Sequence, residues 1–187
     1  MDHYIDIRLL PDPEFPPNLL MNALYAKLHR GLVEWGNNRI GVSFPEHDDE
    51  KPTLGKQLRL HGSEQSLSKL MNHNWLQGMS DHIHVTAIKP IPTPKGYRRV
   101  HRVQAKSSPG RLRRRYMRRH HVDEQSARQA IPDSVTETLA LPYITIGSKS
   151  TGQRFRLFIK HDLIVDHPAA GLFNHYGLSP EATIPWF

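Results

Sequence analysis

Leu20, Leu24, Leu28 and Leu32 recur at every fourth position of the stretch from Asn18 to Val33. On a helix of about 3.6 residues per turn this spacing stacks them into one apolar stripe. Such a stripe has to be covered by a second layer, and the flanking segments offer a sheet. His3 to Leu9 alternates, which puts His3, Ile5, Ile7 and Leu9 on one face of a strand that Pro11, Pro13, Pro16 and Pro17 end. Arg39 to Phe44, Gln57 to Gly62 and Ile83 to Ile88 read as three further strands. A second helix follows Ser63, with Leu67, Leu70 and Met71 facing inward. The order β-α-β-β-α-β predicts an α+β chain beginning with a ferredoxin-like domain. Many unrelated functions use that fold, so it decides nothing about activity. His29 lies about 120° from the centre of the leucine stripe, beside Asn22 and Tyr25, and so points away from the core.

The proline-rich stretch Lys89 to Gly96 reads as a linker. It predicts a ferredoxin-like domain at 1–94 and a smaller α+β domain at 95–187. In the second domain Tyr97 to Lys106 is extended, with Arg98, Val100, Arg102, Gln104 and Lys106 on one side. A helix is expected over 108–120, with Ser108 as N-cap and Pro109 as its first residue. A shorter helix is expected from Asp123 to about Ala130. Tyr143 to Ser148 and Arg154 to Lys160 form a hairpin around Lys149 to Gln153, and Phe173 to Tyr176 reads as an edge strand. Residues 162–171 carry little pattern.

Charge is concentrated in one place. The chain holds 25 Lys and Arg against 18 Asp and Glu, a formal +7. Residues 95–122 alone carry 11 basic and no acidic side chains, while the segments before and after are each −2. On the 108–120 helix, Arg111, Arg114, Arg115, Arg118 and Arg119 fall within an arc of about 140°, with Leu112, Tyr116 and Met117 on the other side. A fan of guanidinium forks suits phosphates, so the expected partner is a nucleic acid. A membrane-surface helix would need a larger apolar face with Trp or Phe.

Several classes are set aside by what the chain lacks. There is no cysteine, hence no disulfide, thiolate zinc site or thiol nucleophile. Met1-Asp2-His3-Tyr4 opens no secretory signal, and no apolar run approaches the ~18 residues of a membrane span. A cytoplasmic protein without membrane contact is expected. His82-x-His84 offers two imidazoles without a carboxylate, a poor metal site, and neither a metal nor another cofactor is expected. There is no glycine-rich phosphate cradle and no Gly-x-Ser-x-Gly elbow.

RNA cleavage asks little of such a chain, because the substrate brings its own nucleophile, the 2′-OH beside the scissile phosphate. A histidine, with an ordinary pKa near ~6.5, is the natural base, and Ser or Tyr hydroxyls can orient the 2′-OH. The chain has 13 histidines, and spacing alone does not choose among them. Arg102 and Gln104, two apart on one side of an extended segment, could read guanine and adenine in a groove opened near a helix end. Phe155 is either core, with Leu157 and Ile159, or a stacking platform for a base.

A set of motifs then narrows the reading. Arg39-Ile40-Gly41-Val42-Ser43-Phe44-Pro45, Arg102-Val103-Gln104-Ala105-Lys106-Ser107, the run Arg111 to His120, Ser150 to Ile159, Tyr176-Gly177-Leu178-Ser179 and Pro185-Trp186-Phe187 occur in this order. The chain resembles the CRISPR repeat-processing endoribonucleases of the type I-F system, from end to end, most weakly at 46–56, 62–96 and 162–175. The resemblance implies binding of the repeat hairpin in precursor CRISPR RNA and metal-free cleavage at the 3′ base of the stem. It further implies a 2′,3′-cyclic phosphate, a product that stays bound, and a place among the other subunits of the type I-F surveillance complex. Carried over by position, it makes His29 the catalytic histidine, has Ser148 restrain the 2′-OH, and has Tyr176 support His29. By the same resemblance Arg102 and Gln104 read purines near the stem base, and Phe155 stacks beneath the terminal pair. Arg114, Arg115, Arg118 and Arg119 line the major groove and His120 meets phosphates, although the helical wheel sets His120 opposite the arginines. Only Gly147 and Gly152 remain of the glycine-rich loop found in the wider repeat-processing family, which suits the type I-F branch. A non-catalytic, structure-specific RNA-binding protein is the alternative.

Overall fold

A computed structural model describes residues 1–35, 38–104, 109–133, 139–147 and 154–187. The first half runs β1 (His3–Leu9), α1 (Pro17–Trp35), β2 (Gly41–Ser43), β3 (Gln57–Gly62), α2 (Glu64–Asn72) and β4 (Ile83–Val85). The strands form a sheet in the order β2-β3-β1-β4, antiparallel at every pairing. This is the ferredoxin-like arrangement the pattern predicts. Ile5, Ile7 and Leu9 of β1, Leu58 and Leu60 of β3, and all four leucines of the α1 stripe are buried. Each such side chain is worth about 1.5–3 kcal/mol of transfer free energy. Ser63 caps α2 by accepting from the Ser66 N–H at 3.2 Å. The stretch read as a linker contains a short strand, β5 (Lys89–Pro90), paired with His3 and Tyr4.

A second antiparallel sheet is built from β6 (Gly96–Val103), β7 (Tyr143–Gly147), β8 (Arg154–His161) and β9 (Thr183–Trp186), in the order β7-β8-β6-β9. It covers what the first sheet leaves open. At Gly41 a Cβ would meet Phe173 and Ile184 at 2.8 Å, so β2 approaches the C-terminal segment too closely for a side chain. Tyr25, on the flank of α1 expected to be open, is fully buried against Phe44, with ring centres 5.9 Å apart. The same side of α1 meets β7, where Asn22 Oδ1 accepts the Thr145 N–H at 2.9 Å. A helix judged against one sheet has only one buried face; here a second layer buries part of its other side.

The expected edge strand at Phe173 to Tyr176 is a turn, and β9 takes its place in the sheet. Asn174 Oδ1 accepts the N–H groups of Tyr176 at 2.8 Å and Leu178 at 3.2 Å, and Gly177 adopts φ 69°. Both features bend the backbone instead of leaving it open for pairing.

Close packing divides the described chain into two units. One comprises Met1–Val103 with Leu141–Phe187, and the other is Gln104–Ala140. The smaller contains α3 (Pro109–His120) and α4 (Glu124–Ala130). Asp123 caps α4 by accepting the Ser126 N–H at 2.8 Å. Arg113 joins the pair: its Nε donates to the Ile131 carbonyl and its Nη2 to Asp133 Oδ1, both at 2.7 Å.

Candidate functional site

Pro17 opens α1 at a position where its missing N–H costs nothing, and the N–H groups of Leu19 and Leu20 close on the Pro16 carbonyl. With the leucine stripe on the first sheet, the helix carries His29 out to a half-buried position. The turn at 174–178 meets it there. The His29 and Tyr176 rings lie parallel, with centres 4.2 Å apart and planes 11° from each other. His29 Nδ1 stands 2.9 Å from the His175 carbonyl oxygen. A carbonyl only accepts, so Nδ1 carries the hydrogen, and in the neutral ring Nε2 is the nitrogen with the lone pair.

The turn is itself anchored from below. The Tyr25 hydroxyl donates to the Tyr176 carbonyl at 2.7 Å, and the Val42 N–H donates to the Gly177 carbonyl at 2.9 Å. Burial, and to a lesser degree Tyr176, push the Tyr25 phenol well above its ordinary value, so it stays protonated and able to donate. His29 and Tyr176, 147 residues apart in sequence, are thus brought together. Ser148 lies outside the described residues, directly after Gly147 at the end of β7.

A second pair forms on the other sheet. Arg102, exposed on β6 opposite Ile159, has its guanidinium carbon 5.7 Å from the centre of the Phe155 ring. Phe155, opposite Ile146, is half-buried against the core, so one side packs while the rest remains open. Gln104 is exposed and belongs to the smaller unit.

Within that unit the arc drawn from the sequence is realised. Arg111, Arg114, Arg115, Arg118 and Arg119 are exposed on α3, and the half-buried Leu112, Arg113, Tyr116 and Met117 face the other way. His120 is exposed, and its ring lies 4.4 Å from that of Tyr116, one turn back. Arg118, Arg119 and His120 occupy the last turn, where a cation complements the helix dipole.

Among the described residues no three or more of His, Cys, Asp and Glu gather as metal ligands, and His82 is held by Asp12 at 2.8 Å. No helix among them is long and apolar enough to cross a membrane. Two contributors were missed in the sequence: Asn174 and the His175 carbonyl. The signal for the first was the Asn174-His175-Tyr176-Gly177 spacing, a turn pattern; a backbone carbonyl leaves no signal at all.

A family model described as CRISPR-associated protein (Cas_Csy4) matches residues 4–187. The chain is 52% identical to the CRISPR-associated endonuclease Cas6/Csy4 of Pseudomonas aeruginosa (strain UCBPP-PA14), over 100% of both chains. It is 45% identical, again over 100% of both, to the protein of the same name from Escherichia coli (strain UTI89 / UPEC). The likeness therefore spans the α1 histidine, the turn that meets it and the arginine helix alike, and this chain belongs to the Cas_Csy4 family of CRISPR-associated proteins.

Proposed function

We propose that this protein is a metal-independent endoribonuclease that binds the repeat hairpin of precursor CRISPR RNA and cuts it at the 3′ base of the stem. The observation that carries the proposal is the state of His29: Nδ1 is tied to a carbonyl, and Nε2 is left to accept a proton on a half-buried ring. Family membership supports the substrate class. In the reaction His29 Nε2 takes the proton of the 2′-OH, and the 2′ oxygen attacks the adjacent phosphorus. The P–O5′ bond then breaks, and the departing O5′ takes a proton from water. The products are a 2′,3′-cyclic phosphate and a 5′-hydroxyl. Ser148 restrains the 2′-OH, and Tyr176 holds the His29 ring by stacking. Arg102 and Gln104 read purines near the stem base, and Phe155 stacks beneath the last pair. Arg114, Arg115, Arg118 and Arg119 line the groove, with His120 on phosphates. The cut hairpin stays bound, and the complex joins the other subunits of the type I-F surveillance assembly.

The test uses single-turnover cleavage of a hairpin RNA with EDTA present. The wild type is expected to cut at one site at an unchanged rate. His29→Ala should lose about 10²–10⁴ in rate while its hairpin affinity stays within a few fold. Ser148→Ala should be slowed in the same manner. A substrate with 2′-deoxy at the nucleotide before the cut should bind and remain whole. Cleavage of that substrate, or a wild-type rate from His29→Ala, refutes the proposal and favours a non-catalytic RNA-binding protein.

A further inference from the structure

Two side chains, Tyr25 and Asn174, bond to the turn facing His29, and Asn174 belongs to the turn itself. Asn174 Oδ1 bridges the N–H groups of Tyr176 and Leu178. Its backbone closes the same loop, the Asn174 N–H donating to the Leu178 carbonyl at 2.9 Å and the Gly177 N–H to the Asn174 carbonyl at 2.8 Å. Inside this loop lie both groups that touch the imidazole: the His175 carbonyl on Nδ1 and the Tyr176 ring on its face. Tyr25 and Val42 fix the far side of the turn to the body of the larger unit. The Asn174 side chain spans the two residues that carry these groups on one side and Leu178 on the other.

We infer that Asn174 is a positioning residue for cleavage: by closing the 174–178 turn it holds His29 as the Nδ1–H tautomer and leaves Nε2 as the proton acceptor. Imidazole exchanges tautomers freely unless one nitrogen is engaged, and a carbonyl engages only the protonated one. Without the Oδ1 bridge the Tyr176 and Leu178 N–H groups need other partners, the turn opens, and the 175 carbonyl leaves Nδ1. A base misplaced by about 1 Å can lose on the order of 10²-fold in rate. The inference rests on the reading of His29 as the general base.

The experiment pairs spectroscopy with kinetics on the full chain. In a ¹⁵N–¹H long-range correlation spectrum of free wild-type protein, the His29 signal, assigned by its absence from His29→Ala, should show the neutral Nδ1–H form. Asn174→Ala should shift that signal toward a mixture of tautomers. The same variant should slow single-turnover cleavage at saturating protein by roughly 10- to 100-fold, with hairpin affinity within a few fold of wild type. Asn174→Asp keeps an oxygen acceptor for both N–H groups and should restore both the rate and the spectrum. An Nε2–H signal in the wild type overturns the inference without any variant having to fold. So does a wild-type rate from Asn174→Ala, or an Asn174→Asp protein as slow as the alanine variant. If His29→Ala is inert and Asn174→Ala cuts normally, this inference alone fails. If His29→Ala cuts normally, the general-base reading fails and takes this one with it.

Discussion

On the proposed function, Arg102 is the position at which one side chain would decide which RNA is held. It is exposed near the end of β6 with its guanidinium beside the Phe155 ring. A two-pronged contact to a base is worth about 1–3 kcal/mol of discrimination. Arg102→Ala should weaken binding of the cognate hairpin by that amount and should barely change binding of a hairpin whose contacted guanine is replaced. Equal losses on both RNAs, measured by titration, would make Arg102 a backbone contact. Gly177 is the residue where backbone conformation decides: at φ 69° a Cβ would come within 2.3 Å of Val42 Cγ2. Gly177→Ala should cost about 2 kcal/mol or more, read as a lowered unfolding midpoint. At this scale the outward direction of His29 was legible, since four leucines define a stripe and the angle follows. The burial of Tyr25 was not, because the layer that covers it comes from residues more than a hundred positions away.

The element that concentrates charge is α3, whose exposed arginines should supply affinity and leave the chemistry to the larger unit. Removing one arginine–phosphate pair should reduce the salt slope of binding by ~1 or slightly less. Arg115→Ala with Arg119→Ala should raise the Kd strongly and flatten the salt dependence, with little effect on cutting at saturating protein. Arg113→Ala is the informative contrast. Arg113 is occupied by the Ile131 carbonyl and Asp133, so its removal should loosen α3 from α4, seen as reduced helicity, without changing the salt slope. Unchanged salt dependence in the double variant would remove the groove-lining role. The arc of α3 was legible because helical periodicity and net charge agree. β9 was hidden by Pro185, which argues against a strand. It is tolerated because β9 lies at the edge of its sheet, where Pro185 stands opposite Tyr97 and its missing N–H breaks no inner ladder.

Across the whole molecule, two buried histidines contribute to the response to acid. Burial, and then Arg59, push His61 from 6.5 down to about 3. Burial, followed by His47, Arg98 and His101, pushes His161 down to about 2. Among the described residues neither finds a partner for Nδ1, and His161 Nε2 already accepts the Phe44 N–H at 3.3 Å, so a charged ring would gain nothing there. Both folded values lie below the ordinary one. The unfolded chain therefore binds these protons first, and stability present above pH 6.5 is lost as pH falls toward 3. Each histidine should contribute a slope of up to about 1.4 kcal/mol per pH unit in that window. Denaturant midpoints measured from pH 7 to pH 4 should fall accordingly, and His61→Gln should fall less steeply. The first sheet was legible, β5 apart, because its strands follow one another with their helices. In the second, the β7–β8 hairpin and the extended course of β6 were legible but the pairing of β6 was not, because its partners follow only after the smaller unit. That discontinuity orders events during translation. The arginine-bearing segment emerges from the ribosome while β6 still lacks β8 and β9, and the last pairing waits for Thr183 to Trp186. A nascent chain stalled between these points displays its basic helix before the second sheet exists, able to attract RNA before it can cut any.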